Sequence, residues 1–247
     1  MIKKLLLYLI VISCALVNKS ALGQTAANDT SVQSIALARI TDTYNTAIGQ
    51  QSRLYNGPEY DLYNPNIKGN AYFSDINSFT QGAVTYDGII YKDVPMMYDL
   101  YKDVVVVMLY NKFSRFTLLK ERVQSFDLLN HHFTYIRTDS LNVNSISTGF
   151  YDQLYNGNLE VLVKRSKAIQ STSGTNTIEN YFTSGKSFYL KKGNSYYSIG
   201  GQGTLLSLLK DKKKELQQYI KANKIKFNKT PEEAMVAIAA RYDELSK

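Results

Sequence analysis

Residues 82–137 read GAVTYDGIIYKDVPMMYDLYKDVVVVMLYNKFSRFTLLKERVQSFDLLNHHFTYIR, and this stretch decides the fold. Val84-Thr85-Tyr86 and Ile89-Ile90-Tyr91 flank Asp87-Gly88. A type I′ turn needs φ > 0 at both central residues, so Asp-Gly between β-branched and aromatic residues predicts a hairpin. Pro95 has no N–H to give a ladder, which predicts the first residue of a strand or an edge. Met96 to Leu100 and Val104 to Leu109 follow. Four consecutive valines are stiff at χ1 and favour strand, and a continuous apolar run predicts that both faces are covered. Phe116 to Leu119, Val123 to Leu129 and Phe133 to Ile136 continue the pattern at short spacing. The reading is an antiparallel meander, either a barrel or a strongly curved sheet.

Outward from this stretch the signals are weaker. Towards the C-terminus, Thr138 to Thr148 is a polar loop. Gly149 to Tyr155 and Leu159 to Ala168 form a second hairpin around Asn156-Gly157, and Lys186 to Leu190 with Ser195 to Ile199 a third around Gly193-Asn194. Gln170 to Asn180 is rich in Ser, Thr and Asn, lacks periodicity, and reads as an exposed loop. From Thr204 the period becomes helical. Leu205, Leu208, Leu209, Leu216, Tyr219 and Ile220 share a face, with Asp211 as the cap of a second helix. Thr230-Pro231-Glu232-Glu233 has the form of a capping box, and Met235, Ile238, Ala239, Tyr242 and Leu245 make the apolar stripe of the last helix. Towards the N-terminus, Ala71 to Ser74 begins the sheet. In 53–70, rich in Asn, Gly, Pro and Tyr, Tyr55, Tyr60 and Tyr63 are expected to pack an irregular segment against the sheet, with a tyrosine-lined contact surface as the functional alternative. A short helix is predicted over about 31–49. The fold class is α+β: a mainly antiparallel β meander with a C-terminal helical segment and a short N-terminal helix. The expected layout is one domain over 24–247, with the N-terminal helix and Tyr-rich segment in 24–70, the meander in 71–200 and the helices in 201–247.

Residues 1–23 read as a secretory signal peptide. Lys3 and Lys4 precede the apolar run Leu5 to Val17, and Ala21-Leu22-Gly23 is a small-x-small cleavage site that leaves Gln24 first. The apolar run is too short to span a bilayer comfortably, so no transmembrane segment is expected in the mature chain. Val11-Ile12-Ser13-Cys14 resembles a lipoprotein processing box, but Ala15-Leu16-Val17 continue the apolar core past it. Lipidation at Cys14 is therefore the lesser alternative to a free periplasmic or extracellular protein. Cys14 is the only cysteine, so the mature chain lacks the thiols that disulfides, cysteine nucleophiles and thiolate metal sites require.

Composition and motifs narrow the chemistry. The apolar fraction of 44% suffices for a sizeable core. Without residues 1–23 the chain has 26 basic and 21 acidic residues, an excess too mild for a nucleic-acid footprint. The two histidines, His131 and His132, are strand neighbours that point to opposite faces, so they cannot share a metal; one buried and one exposed imidazole is expected. There is no H-E-x-x-H, G-x-S-x-G or Walker motif. Gly200-Gly201-Gln202-Gly203-Thr204 lacks the full G-x-G-x-x-G pattern and reads as a joint between strand and helix. Asp99 with Asp103, or Asp152 with Glu160, are the pairs that a carboxylate-dependent hydrolase would need. The lack of tryptophan weakens a sugar-binding reading. Lys210, Lys212, Lys213, Lys214, Lys221, Lys224, Lys226 and Lys229 form the sharpest charge feature, a solvated helical face with a weak polyanion or anionic-lipid contact as its functional reading. No catalytic, cofactor-binding or metal residue is assigned, and no cofactor.

The stretch QGAVTYDGIIYKDVPMMYDLYKDVVVV, with SFDLLNHHF, Gly149-Phe150-Tyr151 and the terminal KKKELQQYIKANKIKF, resembles a family of secreted proteins from Bacteroidetes-type bacteria over most of the mature chain. That family has no assigned activity, so the resemblance implies export and a shared β-plus-helix layout, and it carries over no functional residue. The expectation is an exported, non-enzymatic binding, scaffolding or interaction module of the cell envelope, with an unidentified protein or envelope component as partner. A periplasmic or surface hydrolase is the alternative.

Overall fold

The structure, a computed structural model, describes residues 35–37, 39, 40, 43, 53–109, 111–138, 146–173 and 178–246. The signal segment, Cys14 and most of the polar loop after Thr138 lie outside these residues. The chain divides into two compact units, 1–47 and 48–247. In the first, residues 35–37, 39, 40 and 43 are helical and exposed, within the span where apolar spacing predicts a helix.

The second unit is built on one antiparallel sheet of ten strands. They are β1 (Thr80–Tyr86), β2 (Ile89–Asp99), β3 (Val104–Met108), β4 (Arg115–Thr117), β5 (Val123–Leu128), β6 (His131–Ile136), β7 (Gly149–Asn156), β8 (Leu159–Ser173), β9 (Ile178–Lys192) and β10 (Ser195–Ile199). Their order is β10-β9-β8-β7-β6-β5-β1-β2-β3-β4. The sheet is not closed, since β10 and β4 are edges, so of the two shapes expected the barrel is not formed. Curvature follows from chain length. β4 and β5 lie four places apart, roughly 19 Å across a flat sheet. The link between them includes a 3₁₀ turn at Lys120–Arg122 and reaches only about 16 Å. The sheet must curl for β5 to return beside β1.

The first turn forms as its sequence requires: Asp87 and Gly88 have φ of 53° and 77°. Pro95, however, is neither first in a strand nor on an outer strand. It lies inside β2 opposite Gln81, where pairing with β3 has not begun; β3 joins only from Met96. That side of β2 is locally an edge, and there the missing N–H costs no ladder bond. Ala71 to Ser74 does not begin the sheet either: Tyr72 makes a single bridge to Asp99, and Phe73–Asp75 is a 3₁₀ turn. The second hairpin turns at Gly157-Asn158, one residue later than expected.

The largest correction concerns Gln170 to Asn180. Over 170–173 and 178–180, β8 and β9 run on as a ribbon instead of a loop, paired without a slip from Leu159↔Lys192 to Ser173↔Ile178, while 174–177 lie outside the described residues. Its outer residues are largely exposed on both faces, so no apolar alternation marks them as strand.

Two main cores result. Under the curl, Tyr98, Phe126, Phe133 and Phe150 are all buried, with Phe126 and Phe133 stacked at 4.7 Å and the other contacts edge-on. Val105 and Val107 face this core while Val106 packs with Tyr60, Tyr72 and Met97 on the other face, so both faces of the valine strand are covered as predicted. The second core sits where α1 (Gln202–Leu208), α2 (Lys213–Ala222) and α3 (Pro231–Leu245) cover β8 to β10. Leu159, Val161, Leu190 and Ile199 meet Leu205, Leu209, Leu216, Met235, Ile238 and Tyr242 there.

Candidate functional site

Strand parity places the charged groups. Leu159 and Val161 of β8 face the helices, so Arg165 and Lys167 project from that same face and Lys164 from the other. Arg165, only 8% exposed, donates from Nε to Asp152 Oδ2 at 2.7 Å and from both terminal nitrogens to Glu232 at the start of α3. Lys186 adds a 2.7 Å bond to Glu232, and His131 Nδ1 lies 2.8 Å from Asp152 Oδ2. Burial alone raises the Glu232 pKa, but the bonds from Arg165 and then Lys186 outweigh it and hold the carboxyl below its usual range. On the opposite face Lys164 donates to Asp103 at 2.8 Å, and Tyr98 donates to the same carboxylate at 2.6 Å. Burial pulls the Lys164 pKa down against the pull of Asp103. Gly149 is needed here, because a Cβ would meet Asp103 Oδ2 at 2.4 Å and Lys164 Nζ at 2.5 Å.

Asp99 is fully buried and fully satisfied. Its Oδ2 accepts from Tyr60 and Tyr63 at 2.8 and 2.7 Å, and its Oδ1 accepts from the main-chain N–H groups of Tyr101 and Lys102. Burial first, and then Tyr72 and Asp99 around Tyr60 and Asp99 around Tyr63, push both phenol pKa values up. These tyrosines do pack the irregular segment against the sheet, as expected. The two carboxylate pairs weighed as hydrolase candidates are thus bound to separate partners. Asp99 holds tyrosines, Asp103 holds Tyr98 and Lys164, Asp152 holds Arg165, and Glu160 accepts from Gln153 and Lys191.

The histidines differ from expectation in one respect: neither is buried. His131 and His132 retain 32% and 44% side-chain exposure, and each bonds its own carboxylate, Asp152 and Asp127. They do diverge, and among the described residues no group of three His, Cys, Asp or Glu side chains is placed to hold a metal ion.

The lysine-rich surface is built differently. Leu216 and Ile220 bury one side of α2, which turns Lys213, Lys214 and Lys221 to solvent. Among the eight lysines of 210–229 only Lys212 is half-buried; the rest are exposed, and none makes an ion pair or side-chain hydrogen bond among the described residues. Lys224, Lys226 and Lys229 line a groove of about 360 Å³ with Thr230 and the exposed Glu233. The segment 210–229 carries eight lysines against Asp211 and Glu215, a net +6, whereas residues 24–247 as a whole carry 26 bases against 21 acids, a net +5. The remainder of 24–247 is therefore slightly acidic, and the cationic excess resides in twenty residues.

The capping expected here is absent. Thr230 occupies the N-cap of α3 and Pro231 follows at N1, but the threonine hydroxyl makes no cap bond. Glu232 is drawn to Arg165 and Lys186, and Glu233 is exposed. Asp211 does not cap α2, whose N-cap is Lys212; its carboxylate instead accepts from the Tyr242 hydroxyl at 2.9 Å. Asp243 fixes the other end of α3 by accepting from Tyr155 and from the Asn158 N–H in the β7–β8 turn. No sequence signal links Arg165 to Glu232 or Asp243 to Asn158, because each pair is joined only by the docking of α3 on the sheet. The Gly200–Thr204 stretch does connect β10 to α1. Among the described residues no helix is long and apolar enough to cross a membrane.

Comparison of the chain with family models, with curated proteins and with solved structures finds no match.

Proposed function

We propose that the protein is an exported, non-enzymatic interaction module of the bacterial envelope that engages a polyanionic partner through residues 210–229. One observation carries this reading. The whole cationic excess of residues 24–247 lies on a segment whose eight lysines are unpaired among the described residues, while the lysines and arginine buried in the sheet are each matched to a carboxylate. Unpaired surface lysines are the electrostatic element a polyanion recognises, and the affinity they give falls with salt. The signal-like N-terminus and the resemblance to secreted proteins support the export part. A hydrolase using Asp99, Asp103, Asp152 or Glu160 gains no such support, since donors hold each of them.

The reading is tested with the chain from Gln24 onward and two ligands: vesicles with and without anionic lipid, and a soluble anionic polysaccharide. Binding to one that is weakened by Gln in place of Lys213, Lys214, Lys224, Lys226 and Lys229 is the expected result, and the ligand that binds separates lipid from polysaccharide. Binding that is unchanged in this variant, or absent for both ligands at low salt, overturns it.

A further inference from the structure

A second cleft lies under the Phe73–Asp75 turn, away from the lysine segment. It encloses about 240 Å³ and is lined by Arg165, Lys167, Lys186 and by Ser74, Ser166 and Ser184. Asp75 is the one acidic residue in its lining. Arg165 and Lys186 are neutralised from behind by Asp152 and Glu232, which do not line the cleft.

Lys167 differs from both. Its side chain is 4% exposed, yet its carboxylate partner, Asp75, has a side chain 75% exposed. Its ammonium also donates to the Asn70 carbonyl at 2.6 Å. The turn that brings Asp75 there holds Ser74 and Asp75 both at positive φ, 55° and 58°, a conformation non-glycine residues rarely adopt without a reason. Asn70 secures the turn by donating to the Asp75 carbonyl, so the carboxylate can rotate into water while the backbone stays. That rotation leaves a desolvated ammonium facing a small cleft whose lining includes Ser74 and, directly across the ladder from Lys167 on the same face, Ser184; Ser166 projects from the other face. A desolvated cation demands an anionic partner, and the geometry is already suited to a carboxylate because a carboxylate fills it.

We propose that this cleft is a binding site for a small carboxylate, whose anionic group displaces Asp75 from Lys167 and takes further hydrogen bonds from the Ser74 and Ser184 hydroxyls. Asp75 is then a built-in competitor that keeps Lys167 neutralised when the site is empty. The cleft volume limits the ligand to a few heavy atoms beyond the carboxylate, in the size range of acetate to succinate.

The test is calorimetric titration of acetate, succinate and phosphate at constant ionic strength, with chloride as the background salt. Asp75→Asn retains a residue that tolerates positive φ but removes the competing charge. It should bind acetate or succinate about tenfold or more tightly than the native chain, the effect of deleting one competing charge-assisted hydrogen bond. Its melting temperature should fall in chloride and recover saturably with the carboxylate. Lys167→Met should abolish the response, and Ser184→Phe, which fills the mouth of the cleft from an exposed position, should abolish it without touching a charge. Equal affinity in native and Asp75→Asn chains, no saturable binding in either, binding that survives Ser184→Phe, or a preference for phosphate over both carboxylates would each overturn the assignment.

Discussion

The sheet and the segment that follows it treat charge in opposite ways. In β7 and β8, Asp152 and Arg165 are buried and tied to each other, and Lys164 and Lys167 are each tied to a carboxylate on another element. In 210–229 eight lysines stand with none among the described residues. The first arrangement is what burial enforces, because a charge withdrawn from water without a partner is too costly to keep. The second has no such cause, since an exposed lysine needs no partner to be stable. Pairing therefore marks the groups that hold the fold, and its absence across a locally concentrated charge marks those free to meet something else.

The contrast breaks first at Arg165. Arg165→Met leaves Asp152, 1% exposed, without its guanidinium, and should lower stability by about 3–5 kcal/mol in denaturant titration. A loss near zero would mean that the buried network is not what the sheet relies on. Ile238→Ala, which truncates a fully buried side chain on the inner face of α3, should cost about 2–5 kcal/mol. Acid should expose the same network. Glu232 has a folded pKa below its ordinary value of 4.5, so its stabilising contribution is present above that value and is lost as pH falls through the folded pKa. Glu232→Gln should flatten the decline in stability below about pH 4.5, measured as melting temperature against pH. At the small end, Thr230→Ala should cost less than about 0.5 kcal/mol, well under the ~1 kcal/mol of a working cap, because its hydroxyl makes no cap bond. Gln in place of Lys212, Lys213 and Lys214 should likewise leave the denaturation midpoint nearly unchanged.

Much of the fold was legible because its signals are local. Asp87-Gly88, the four valines and the stripe through Met235, Ile238 and Tyr242 each fix their own conformation or their own buried face. The outer β8–β9 ribbon was not legible, because exposure on both faces erases the alternation by which a strand is recognised. The caps failed for a different reason. Thr230 and Glu233 have the right spacing, yet Glu232 is held by Arg165, sixty-seven residues away, and docking of α3 sets the geometry of its first turn. The lysine segment was visible as a run. That its lysines lack partners among the described residues follows only from the structure, which shows where the other described charges go.

The most direct test is the salt dependence of polyanion binding by the chain from Gln24 onward. The logarithm of affinity should fall linearly with the logarithm of salt concentration for the native protein. The slope should shrink by more than half when Lys213, Lys214, Lys224, Lys226 and Lys229 are changed to Gln, with the melting temperature unchanged. A slope that is the same in both proteins would contradict the account and place the binding surface elsewhere on the molecule.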